Sequence, residues 1–186
     1  MALWGVSDAD ESKPKYLTDA DKKNTIATAA GWVLKKTVGS RNQTELLVAT
    51  GADLATGIGQ ADITHVDFVT TTYSAGSPGA FSTSVTFNEN VTVTGTPRMQ
   101  VTNSQAGGGS SASWKGNYAS GSGTNTLVFT STLGAGAAAA NDVLSIGANA
   151  SELNSGTIVD TVGGGNATIT SSAGIGTAAG TITVVA

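Results

Sequence analysis

The sequence predicts an all-β protein in two parts, an N-terminal arm with a small β-hairpin unit over residues 1–60 and an antiparallel β-sandwich over residues 63–186. Three observations carry this. Thr is the commonest residue, at 28, and together with Gly, Ala and Ser it supplies 99 of 186 positions; β-branched Thr and Val suit pleated strands. Apolar side chains take every second position in Ser82–Phe87 and Asn90–Thr94, which puts them on one face. Gly, Ser, Asn or Pro punctuation recurs at the spacing of short strands joined by polar turns. Leu, Ile, Val and Phe total only 38. Net charge is just −4, however, and Pro is sparse, so a thin ordered core of Val, Ala and Thr is expected rather than a disordered chain.

Residues 1–23, MALWGVSDADESKPKYLTDADKK, show no alternation, carry clustered charge and contain Pro14. They read as an extended arm. One helical turn is expected over Thr18–Lys23, with Thr18 as its cap and acidic residues following. Two strand-like runs come next, TIATAAGWVLKKTV and TELLVAT, separated by Gly39-Ser40-Arg41-Asn42-Gln43, which suggests a hairpin. From Ile63 the expected strands are His65–Tyr73, Phe81–Phe87, Asn90–Thr94, Arg98–Thr102, Ser113–Ala119, Thr126–Ser131, Asp142–Ile146, Gly156–Val162, Ala167–Thr170 and Thr181–Val185. Any helix in this stretch would be an exception. The Ala137–Ala140 run is preceded by Gly134 and Gly136 and followed by Asn141-Asp142 and reads as a loop or single turn. Glycine clusters at 107–109, 121–123 and 163–165 read as loop tips.

Charge is uneven. Residues 1–45 hold seven of the nine basic and six of the thirteen acidic side chains, leaving the remainder acidic. The pI of 4.7 gives no electrostatic footprint for nucleic acid or an anionic membrane. No apolar run is long enough to span a bilayer, and the opening residues lack the basic-then-apolar pattern of an export signal. With no Cys there is neither a disulfide framework nor a thiolate metal site.

Catalytic chemistry finds little to work with. His65 is the single histidine and opens an alternating run, so it reads as an ordinary strand residue. No serine sits in a Gly-x-Ser-x-Gly elbow feeding a helix. The glycine clusters lack the Gly-Lys-Ser/Thr ending that cradles phosphate. Asp62, Glu89, Asp142 and Asp160 are the candidate calcium ligands at loop ends, but without a recognised ligand spacing they read as solvated carboxylates. No enzyme activity, cofactor or metal is expected. Trp32 and Trp114 each lie in an alternating run and are expected to anchor the cores of their units. Trp4 has no such neighbourhood and reads as a docking residue.

Two stretches resemble known families. Val85-Thr-Phe-Asn-Glu-Asn-Val-Thr-Val-Thr-Gly-Thr-Pro97, then Tyr118-Ala-Ser-Gly-Ser-Gly-Thr-Asn-Thr-Leu-Val-Phe129, then Ser155-Gly-Thr-Ile-Val-Asp160, resemble bacterial immunoglobulin-like modules of large surface adhesins. The likeness covers most of 63–186 and implies an immunoglobulin-like sandwich; it departs at Val162-Gly-Gly-Gly-Asn-Ala167. The opening MALWGVSDADESKPKYLTDADKK, with Gly31-Trp-Val33 and Glu45-Leu-Leu-Val-Ala49, resembles small virion structural proteins of tailed phages, particularly marine and cyanobacterial myophages.

The second resemblance implies a particle component made in the host cytoplasm, and a capsid decoration or cement protein is the expectation that follows. Residues 1–60 would bind the major capsid protein through Trp4, Lys13, Tyr16, Lys22 and Lys23. Other copies of the chain are expected as neighbours on the capsid exterior. The alternative is a head- or tail-surface module that recognises host surface polysaccharide, with Trp114 and Tyr118 as the glycan-binding candidates.

Overall fold

A computed structural model describes residues 16–28, 30–49, 60–76 and 79–186. The described residues are all-β apart from two short helices. The first, α1 (Asp19–Lys23), sits where the sequence puts it: the Thr18 hydroxyl accepts from the Asp21 amide at 3.2 Å, and Lys22 and Lys23 occupy the last turn, next to the negative end of the helix dipole. Three antiparallel strands follow, β1 (Thr25–Thr28), β2 (Gly31–Val38) and β3 (Arg41–Ala49), in the order β1-β2-β3. The expected hairpin is therefore a three-stranded meander. The run from Thr25 to Val38 does not continue as one strand, because Thr28 turns its hydroxyl onto the Gly31 carbonyl at 2.9 Å and β1 folds back to pair Thr25 with Leu34.

The second part is a nine-stranded antiparallel sheet that curls into a sandwich-like arrangement. Its strands are β4 (Ile63–Phe68), β5 (Ala80–Thr94), β6 (Arg98–Asn103), β7 (Ser113–Ser120), β8 (Thr124–Thr132), β9 (Val143–Ser145), β10 (Ser151–Glu152), β11 (Thr157–Asp160) and β12 (Thr181–Thr183). The main path runs β11-β5-β8-β7-β6-β9-β12, with β4 on β5 and β10 on β6. The segments that follow β4 and β12 meet in an isolated parallel bridge, Ser74 to Val185, and the Val185 amide donates to the Tyr73 carbonyl at 3.0 Å.

β5 joins what the sequence suggests are two strands. Its first half pairs with β4 and its second with β11, while β8 lies along the other side with a register shift between Thr86 and Val91. The Asn88-Glu89-Asn90 segment thus marks a bulge rather than a break. Asn88 is buried there, on the β4 side, where its Oδ1 accepts from the Asp62 amide at 2.7 Å.

Other expected strands are trimmed. The run beginning at His65 stops at Phe68, and Ala167–Thr170 contributes only an isolated bridge, Thr168 to Asp62. A second helix, α2 (Ala173–Ala178), appears where none is expected; Ser172 caps it by accepting from the Ile175 amide, and it packs on β4.

The sandwich core centres on Phe81, Phe87, Phe129, Met99, Leu127 and Leu144, all essentially without solvent exposure. The N-terminal unit buries Ile26, Ala27, Trp32, Val33 and Leu34. β1 lies against β5, and Lys23 reaches Asp67 at 2.6 Å, so the small sheet is seated on the sandwich at its root.

Candidate functional site

Two features stand out, one at the junction of the small sheet and the sandwich and one on the outer half of the small sheet. The first is a cleft of about 490 Å³ between α1, β4 and α2, lined by Lys22, Lys23, Ile63, His65, Asp67 and Ile175 among others. Two of the expected attachment residues, Lys22 and Lys23, therefore share one cleft. Lys23 is tied there by its ion pair to Asp67, with both side chains partly exposed. Tyr16 lies just before the helix and is 72 % exposed. Trp4 and Lys13 lie outside the described residues.

His65 offers Nδ1 to Thr64 Oγ1 at 3.0 Å, and that hydroxyl donates to the Thr86 carbonyl at 3.1 Å. Among the described residues no group of three or more His, Asp or Glu side chains is placed to hold a metal ion, and no helix is long and apolar enough to cross a membrane.

The second feature is the outer half of β2 and β3. Residues 35–38 and 41–46 are exposed at every position, whichever face they point to. Alternation along a strand normally buries one face; here neither is covered. This ribbon carries Lys35, Lys36 and Arg41 against Glu45, and Lys36 pairs back to Asp21 of α1 at 3.3 Å. Thr18 foremost and then Lys36 hold the Asp21 carboxyl below the usual aspartate range.

The two glycan candidates lie on β7 and turn their rings toward the sandwich. Trp114 meets Phe81 edge to face at 5.8 Å, and Tyr118 meets Phe129 at 6.2 Å. The Tyr118 hydroxyl also accepts from the Ser122 amide at 2.9 Å, fixing the β7–β8 turn. Trp32 is fully buried in its own unit, as its alternating run suggests.

The carboxylates correct a sequence expectation. Glu89, Asp142 and Asp160 are buried rather than solvated. Asp142 accepts from the Ala139 amide at 2.9 Å, the Asn103 side chain at 2.8 Å and the Gly107 amide at 2.7 Å. The Ala139 amide foremost, with the Asn103 and Gly107 donors, holds its carboxyl below the usual aspartate range, against burial, which pushes it up. Asp160 Oδ1 accepts from the Val162 and Gly163 amides at 2.7 and 2.9 Å, pinning the glycine-rich turn that follows. Sequence reasoning missed these roles because a carboxylate beside glycines has the same local signature whether it faces water or caps loop amides. No family model, curated protein or solved structure matches this chain.

Proposed function

We propose that this chain is a non-catalytic virion structural protein of a tailed phage, a capsid decoration protein whose first 60 residues bind the major capsid shell while the immunoglobulin-like sandwich is displayed outward. The observation that carries the reading is the β2–β3 ribbon, basic and exposed on both faces, rooted on a well-packed sandwich by Lys23–Asp67. A two-stranded hairpin is only marginally stable by itself in water, so a ribbon of this length suits docking on another surface. The resemblance of the opening residues to virion proteins supplies the identity of that surface. Modest contacts suffice when many symmetric copies bind one shell, and a Thr-rich, weakly charged sandwich tolerates dense display.

Cosedimentation with phage heads stripped of the protein tests this. The full chain is expected to pellet with heads, and a chain beginning at Ile63, which lacks both the arm and the ribbon, to remain in the supernatant while keeping its β-type circular dichroism. Pelleting of the shortened chain to the same extent overturns the arm's role. Failure of both to pellet overturns the capsid reading and directs attention to a glycan array.

A further inference from the structure

Among the described residues, the outer half of the β2–β3 ribbon lacks strand neighbours on either side. β1 covers β2 only from Gly31 to Leu34, and β3 is the terminal strand of its sheet among the described residues. Residues 41–46 are all exposed, Leu46 at 50 %. An open edge of this kind is a template for a further strand.

We propose that β3 pairs antiparallel with β3 of a second copy of this chain, about a two-fold axis through Gln43, forming a six-stranded sheet. The register follows from the turn and from charge. Val38 and Arg41 flank a two-residue turn in which Gly39 has φ +63°. In such a hairpin the flanking pair exchange both backbone hydrogen bonds, and the pairing alternates from there. Arg41, Gln43 and Glu45 therefore direct their amides and carbonyls to β2, while Asn42 and Thr44 direct theirs outward. An axis at Gln43 sets Asn42 against Thr44 of the partner subunit, and Thr44 against Asn42 of the partner subunit, which satisfies the outward groups reciprocally.

The same register sets Arg41 opposite the partner's Glu45 and Glu45 opposite the partner's Arg41. These are non-hydrogen-bonded positions, where cross-strand side chains come closest. Neither Arg41 nor Glu45 has an ion pair within the chain among the described residues. Sliding the strands by two residues either way keeps the backbone bonds but loses both charge pairs, so one register is favoured over its neighbours. A patch that is complementary to itself is what a closed two-fold interface requires.

Sedimentation equilibrium of the full chain tests the proposal in solution, without heads, so its outcome is separate from that of the capsid reading. The wild-type chain is expected to dimerise at micromolar concentration. Arg41→Glu alone and Glu45→Arg alone should each weaken association about tenfold or more, since like charges then oppose each other at two places. Mixing the two variants, or combining them as R41E/E45R, should restore it, and circular dichroism checks that each variant remains folded. A wild-type chain that stays monomeric throughout overturns the proposal. So does a dimer whose strength ignores the single reversals, or single-reversal losses that mixing does not repair.

Discussion

At the scale of single residues, Asp142 and Phe81 carry the largest expected effects. The Asp142 carboxylate gathers the Ala139 and Gly107 amides and the Asn103 side chain, joining the 103–109 loop to the start of β9. Its folded-state pKa lies below the ordinary value near 3.8, as does that of Asp21. A carboxylate with a depressed folded pKa contributes stability that is present above its unfolded pKa and lost as pH falls through the folded one. The thermal midpoint should therefore decline from about pH 4 downward, close to the unfolded aspartate value. Asp142→Asn should lower the midpoint at neutral pH by several degrees, because its amide turns a donor toward donors, and should flatten the acid decline; calorimetry from pH 3 to 7 reads both. Phe81 is met edge to face by Phe68, Tyr73 and Trp114 at 5.8, 5.9 and 5.8 Å. Phe81→Ala should cost about 3–5 kcal/mol in denaturant unfolding. The burial of Phe81 is legible from the alternation of its strand. The burial of Asp142 is not, because the donors that satisfy it come from two loops, one of them 35 residues away in sequence.

Elements with a two-residue period were the most legible, and their ends the least. β6, β7 and β8 lie within two residues of their expected limits at each end. The sequence divides β5 in two because Asn88-Glu89-Asn90 looks polar, yet the backbone stays extended and only its pairing with β8 lapses. α2 was invisible for a different reason: Ala-Gly-Ile-Gly-Thr-Ala has two glycines and two β-branched residues, a poor helix by intrinsic preference. Packing decides instead, since Gly176 sits where a Cβ would lie 2.3 Å from the Ile146 carbonyl oxygen. The β7–β8 turn offers a sharper test of an element boundary. Gly121 has φ +111°, and a Cβ there would stand 2.1 Å from the Thr126 carbonyl oxygen. Gly121→Ala should destabilise the fold by about 2 kcal/mol, read as a lower urea midpoint with unchanged slope.

For the whole molecule, the question is how far the two parts depend on each other. The sequence divides them near residue 60, where the regular run of short strands begins at Ile63, and the described strands fall into two sheets with no ladder between them. Charge and periodicity say nothing about packing between parts, so the seat of the small sheet on the sandwich was not legible. β1 rests on β5, the Lys23–Asp67 pair bridges the parts, and α1 walls one side of the cleft against β4 and α2. A chain beginning at Ile63 keeps every strand of the nine-stranded sheet and the complete aromatic group around Phe81, so it should fold, with a cooperative transition and β-type circular dichroism. It also uncovers the part of β5 that β1 protects and leaves Asp67 without its cation. Its thermal midpoint should fall by several degrees, each kcal/mol lost being worth about 2–4 °C at this size. The ion pair is partly exposed and contributes little of that, so Lys23→Ala in the full chain should move the midpoint far less than the truncation does. If the two changes lower it equally, the seat is electrostatic and the β1–β5 contact contributes no stability. If the truncated chain fails to fold, the first 60 residues are part of the sandwich's own core and not a separable attachment unit.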